Sequence, residues 1–201
     1  MGRYRAAAAL FDSVSRWALP DVAPSQFFHQ HAWALAHAAG ALAAAGDTAA
    51  LPALIDTLEV AGPKSGLERD RRLSHYARGL LLAARGQDEA AALELRRAVI
   101  SWNLGYTRVN MALAKVLLRM GRAREAVTVL QPALRGSLEA SNTYVSRTDI
   151  HEALGAAWAA VQGSAALDSS RAHYALVVRA WQRADTSFAE RKARAEAGSK
   201  D

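Results

Sequence analysis

A chain of 201 residues that is 51% hydrophobic, much of it alanine, can bury a sizeable core and lacks the composition of a disordered or fibrous polymer. It has no cysteine, which excludes disulfides, thiolate metal sites and cysteine nucleophiles, and no window approaches the roughly 18 uninterrupted apolar residues of a membrane span. The formal charge of +6 is local, with +5 in residues 103–135, −1 in 1–66, +2 in 67–102 and zero in 136–201; that is not the pattern of a general nucleic-acid binder.

No alternating run of β-branched residues reads as a strand, so the class is all-α. The chain opens like a signal peptide, but Asp12 breaks the apolar run and no small-residue cleavage site follows; a cytoplasmic chain is expected. Residues 3–19 read as one amphipathic helix, ended by Pro20 and a loop over 21–25. That helix is either the second half of a repeat or a cap. Three segments then share one pattern: an apolar helix ending in glycine (Gly46, Gly86, Gly121), a short polar turn, and a second apolar helix. Glycine just past a helix end takes the left-handed conformation cheaply, and the short connections force the two helices antiparallel. Ser65 with Glu68 reads as a capping box opening one long helix to about Arg85. Residues 136–146 form a polar connection. A fourth hairpin follows, with a longer turn around 162–168. Ser187 with Glu190 repeats the capping box for a last helix from Phe188 to about Ala197.

These residues resemble the tetratricopeptide repeat. Tyr76, Gly79, Leu82, Gly86, Ala91, Leu95 and Ala98 fall at that family's aromatic, small and packing positions, as do Leu113, Ala114, Leu117, Gly121, Ala126, Leu130 and Leu134. The first repeat matches through Ala39, Leu42, Gly46, Leu51, Ile55, Leu58 and Pro63, the fourth through Leu154, Gly155, Trp158, Tyr174 and Val177. Arg78 departs from the pattern, standing where the family has a buried leucine. Residues 101–108 and 174–181 look like the carboxy-terminal repeat region of multidomain bacterial regulators, in which such repeats follow a kinase or DNA-binding domain. The resemblance implies an α-solenoid of about ten helices. Its parts are an amino-terminal helix and loop (1–25), an array over 26–184 (repeats 26–64, 65–105, 106–146 and 147–184), and a capping helix and tail (185–201).

The most specific functional signal is the basic stretch. On residues 107–120, Val109, Leu113, Val116, Leu117 and Met120 share a core face, and Arg108, Lys115, Arg119 and Arg122 form a ridge offset by roughly 100°. By the resemblance, the first helix of each repeat lines a concave groove. Arg108, Met111, Lys115 and Arg119 would then face a ligand of acidic character, such as acidic side chains, a phosphorylated segment or a carboxylate. The bland alternative is a solvated face. In the second repeat Tyr76 and Leu80, with Leu73 and Ala83, make either an apolar patch for a partner helix or inter-repeat core. The family's asparagine clamp for a terminal carboxylate is absent, its positions holding His37, Ala77, Ala112 and Ala153.

His29 and His31 lie on different helix faces, and no His-x-x-x-His or Glu-x-x-His pair occurs. No metal or cofactor is therefore expected. Nor is an enzyme: no phosphate loop, Gly-x-Ser-x-Gly or paired carboxylates in an apolar setting can be found, and Asp149 and Glu152 read as helix-start charges. His151 and Glu152 read as surface. The five tryptophans are spread along the chain as packing residues. The expected function is a protein-interaction scaffold binding a partner peptide or helix. The alternative is a regulatory module associating with nucleic acid through the basic third repeat. Self-association is a further possibility, and a membrane partner is not expected.

Overall fold

The computed structural model describes residues 3–17, 22–99, 107–135 and 145–200. Among them the secondary structure is helical, with no strand. The chain divides into two compact units, residues 1–100 and 101–201.

The first unit holds α1 (Tyr4–Ser15), α2 (Pro24–Ala44), α3 (Leu51–Lys64), the single turn α4 (Glu68–Arg71), α5 (Leu73–Ala84) and α6 (Asp88–Ala98). The 21 residues of α2 bury Ala32, Ala34, Leu35, Ala36, Ala38 and Ala39, small side chains that let neighbouring helices come close. Leu51, Leu58 and Leu95 fill the space between them and are fully buried. Pro24, expected in a loop, is the first residue of α2, where its fixed φ suits the helix and its missing N–H costs nothing.

The second unit holds α7 (Thr107–Arg119), α8 (Ala123–Leu130), α9 (Arg147–Ala159), α10 (Ser164–Ala180) and α11 (Ala189–Gly198). Leu113, Leu117, Leu130, Ile150, Leu154 and Val177 are its buried bulk. Pro132 has no N–H to extend α8, and the chain there tightens into a 3-10 turn over Gln131–Arg135.

The glycine turns form as expected. At Gly86 (φ +72°) the N–H donates to the Ala83 carbonyl at 3.2 Å and that of Gln87 to Leu82 at 3.0 Å. At Gly121 (φ +72°) the same pair runs to Leu118 at 3.0 Å and from Arg122 to Leu117 at 2.8 Å. This pair of hydrogen bonds satisfies the last carbonyls of the helix and turns the chain back, placing α6 on α5 and α8 on α7.

Several local expectations are corrected. The long helix from Ser65 to Arg85 is broken in two at Arg72. Ser65 does not cap it: its hydroxyl donates to the Gly62 carbonyl (2.8 Å) and accepts from the Leu67 N–H (3.1 Å), closing α3. α4 is pinned instead by its buried Asp70, and its backbone lies so close to α3 that a Cβ on Gly62 would sit 2.6 Å from the Asp70 carbonyl. At the far end the cap is Asp185, whose carboxylate accepts from the Ser187 N–H at 2.8 Å ahead of a 3-10 turn, so α11 begins only at Ala189. The fourth turn is short, since α10 starts at Ser164 just after Gly163. A capping box missed in the sequence opens α9, where Ser146 and Asp149 each bind the other's backbone N–H. The first helix ends at Ser15, and residues 18–21, 101–106 and 136–144, with Trp102 and most of the polar connection, lie outside the described residues.

Candidate functional site

In the second unit α7 buries Val109, Leu113, Val116 and Leu117 as its periodicity requires, together with Thr107, Asn110 and Ala114; Met120, expected on the same face, lies just past the helix end and is half-buried. Asn110 donates from Nδ2 to the Val129 carbonyl at 2.9 Å, tying α7 to α8. Those extra residues widen the buried arc, so at about 100° per residue the basic ridge lies nearly opposite the core face rather than 100° from it. Lys115 and Arg119 are exposed; Met111 and Arg108 are half-buried, and the Arg108 Nε is shut away from solvent. Arg122 leaves the ridge: at the head of α8 it forks onto Glu125, with Nη2 to Oε2 at 2.8 Å and Nε to Oε1. The outward charge on this helix is therefore narrower than the sequence suggests. Beside it an open depression of about 380 Å³ lies between residues 121–125 and 160–162.

In the first unit Tyr76 is only 5% exposed, and its hydroxyl lies where a Cβ on Gly40 would come within 3.2 Å. Leu73 is buried, while Leu80 and Ala83 are half-buried. Tyr76 thus packs α5 against α2, and of the apolar stripe only the Leu80 and Ala83 end reaches solvent. Arg78, out of place for the family pattern, joins a charged network. It bonds Glu59 and approaches Glu94 at 3.4 Å, while Glu94 also takes the His75 Nδ1 (2.8 Å) and Arg97 (2.8 Å). Burial works against ionisation of Glu94, but the hydrogen bond and charge of His75, with Arg78 and Arg97, outweigh it and hold the carboxyl below its usual range. Arg78 is correspondingly held above its own, chiefly by the bond to Glu59.

Two further clusters were not legible in the sequence. Asp70, with a side chain 0% exposed, accepts from the His29 Nδ1 at 2.7 Å and the Trp33 Nε1 at 3.0 Å. The Arg69 guanidinium covers the Trp33 ring at 5.7 Å. His31 spends its Nδ1 on the Ser15 carbonyl (2.6 Å), and His37 stacks on Phe11 with centroids 4.7 Å apart. The only advance signal was an indole N–H, which needs an acceptor once buried.

In the second unit His151 and Glu152, expected at the surface, are half-buried. The His151 and His173 Nδ1 atoms are 2.9 Å apart, one ring donating and the other accepting. Burial, with Arg147 beside His151 and His151 beside His173, holds both imidazoles below their ordinary value. Asp149 and Glu152, read separately as helix-start charges, converge on Arg191 of α11, at 2.5 Å for Asp149. Arg191 lies over the Trp181 ring at 4.6 Å and near Phe188 at 5.7 Å, so this is a carboxylate pair in an aromatic setting. Burial opposes the charge of Asp149, yet its bonds to Arg191 and Ser146 keep the carboxyl low.

No family model, curated protein or solved structure matches this chain. Among the described residues no three or more His, Asp or Glu side chains gather where they could hold a metal ion, and no helix is long and apolar enough to cross a membrane. In the charged clusters Arg78 of α5 and Arg191 of α11 face carboxylates of neighbouring helices. Lys115 and Arg119, on the α7 edge, are among the exposed cations of the second unit.

Proposed function

We propose that the chain is a protein-interaction scaffold, a tetratricopeptide-like α-solenoid whose third repeat holds an acidic peptide or helix of a partner. The observation that supports this reading best is the placement of Lys115 and Arg119. They project from the arc of α7 opposite its buried face, on a helix anchored to α8 by Leu113, Leu117 and the Asn110–Val129 bond. Two cations one helical turn apart on a rigid element suit carboxylates or phosphates arriving at the same spacing. Met111 offers an adaptable apolar contact beside them. Arg108, drawn partly inward, contributes charge at the margin. A non-catalytic role is supported by the way His29, His31, His75 and His151 each spend Nδ1 on a structural partner. The cytoplasm is the compartment we assign.

The test uses a labelled Asp/Glu-rich peptide and fluorescence anisotropy. Lys115→Glu with Arg119→Glu is expected to weaken binding by about tenfold or more while leaving the melting curve in place, since like charges now face one another. Unchanged affinity would remove the α7 edge from the account. Binding of duplex DNA that falls steeply with salt, with no peptide binding, would put the nucleic-acid module in its place.

A further inference from the structure

A second surface, on the first unit, is independent of the α7 edge. α1 packs on α2 through Ala8, Phe11 and Ser15: Ala8 and Ser15 are buried, Phe11 stacks on His37, and the Ser15 carbonyl holds His31. At about 100° per residue, Leu10, Val14 and Trp17 share an arc roughly 60° wide, about 125° round from that packing face. They are 63%, 45% and 69% exposed. Trp17 belongs to the same turn, its N–H donating to the Val14 carbonyl at 3.0 Å. Arg3, Ala6, Ala7 and Ser13 complete the arc, with no acidic side chain on it. The remaining charges of α1 lie off to the side and are paired, Arg16 with Asp12 and Arg5 with Asp47 at 3.6 Å.

We propose that this face joins two copies of the chain, α1 against α1 and antiparallel, about a two-fold axis at Leu10. The residues are self-complementary in that one arrangement. Positions 6 and 14 are equidistant from Leu10, as are 3 and 17, so the axis sets Val14 of each copy on Ala6 of the other. It likewise sets each Trp17 ring against the other copy's Arg3, large on small and cation on π-face at both ends. A lipid surface suits the face less well. It would want several cations flanking the apolar arc, and two of the three nearby arginines, Arg5 and Arg16, already have carboxylate partners. The three apolar side chains expose on the order of 300 Å² per copy, well under the roughly 800 Å² of a standard interface, so the dimer is reversible.

Sedimentation equilibrium of the full chain from about 10 μM to about 1 mM tests this. The average mass is expected to climb from one chain towards two. Leu10→Glu, which sets two carboxylates together at the axis, is expected to hold it at one chain throughout, with the helical circular dichroism signal unchanged. Because the chain has no cysteine, single-cysteine variants read the geometry directly. Leu10→Cys, and a mixture of Ala6→Cys with Val14→Cys, are expected to form disulfide dimers several-fold faster than Thr57→Cys, an exposed control on α3. A single-chain mass at the highest concentration overturns the proposal, as does a dimer that survives Leu10→Glu. Disulfide rates no faster than the control would overturn it too, as would a monomer that floats with anionic vesicles through Trp17.

Discussion

Replacing Asp70 with alanine perturbs the most deeply placed charge in the first unit. Its carboxylate is shut from solvent and receives two donors from α2, the Trp33 indole N–H at 3.0 Å and the His29 Nδ1–H at 2.7 Å. A buried donor left without an acceptor costs about 1–3 kcal/mol. The bond to His29 is stronger in kind, but that ring is partly exposed and water can replace the carboxylate, so its loss is discounted. Together they amount to about 2–4 kcal/mol, a drop of roughly 10 °C or more in the melting of a unit near 100 residues. Asp70→Asn keeps one acceptor oxygen and is expected to lose about half as much. Urea unfolding followed by tryptophan fluorescence and circular dichroism measures both. A double-mutant cycle with Trp33→Phe should return a coupling of about 1 kcal/mol or more. If Asp70→Ala changes stability by less than about 0.5 kcal/mol, or the cycle shows no coupling, Asp70 does not pin α4 to α2.

Two predictions concern the second unit. His151 and His173 are held below their ordinary value of 6.5 in the folded chain. As pH falls through about 6.5 the unfolded chain binds protons that the folded chain refuses, so their contribution is complete above that pH and is lost on acidification. Urea midpoints should fall between about pH 7.5 and pH 5.5, and His173→Gln should flatten that slope; the same slope in the variant would exonerate the pair. Arg191→Ala removes the fork on Asp149 and Glu152. It should cost about 1–3 kcal/mol and speed amide exchange in α11 before the rest of the unit. Arg191→Lys should not restore protection, because an ammonium cannot span both carboxylates. Unaltered protection of α11 would show that Trp181, Phe188 and Val177 hold it unaided.

The hairpins were legible because their signals are local. A glycine two residues past an apolar helix has one economical use, and at Gly86 and Gly121 it has that use. Val109, Leu113, Val116 and Leu117 of the α7 core face followed from periodicity, but its polar and small members Thr107, Asn110 and Ala114 did not. What escaped depends on a partner distant in sequence. Asp70 sits among Glu68, Arg69, Arg71 and Arg72, which reads as a solvated turn. Only the donors on α2, some 40 residues earlier, make it a buried acceptor. Asp149 and Glu152 likewise look like helix-start charges until Arg191 arrives from α11. Ser65 and Ser187 had the spacing of capping boxes, but the spacing does not say which helix end a hydroxyl will reach. On the α7 edge the ridge was visible, while the withdrawal of Arg122 to Glu125 and the partial burial of Arg108 were not. Both depend on which rotamers the neighbouring helices leave open.

The proposed docking of an acidic partner on the outer edge of α7 makes a residue-level prediction. Titrating an Asp/Glu-rich peptide into the isotope-labelled full chain, with amide and side-chain shifts followed by NMR, tests it most directly. Docking there should give shifts centred on Lys115, Arg119 and Met111, saturating with peptide and vanishing in the Lys115→Glu, Arg119→Glu variant. Saturable shifts centred elsewhere, or no shifts on α7 at all, would contradict it.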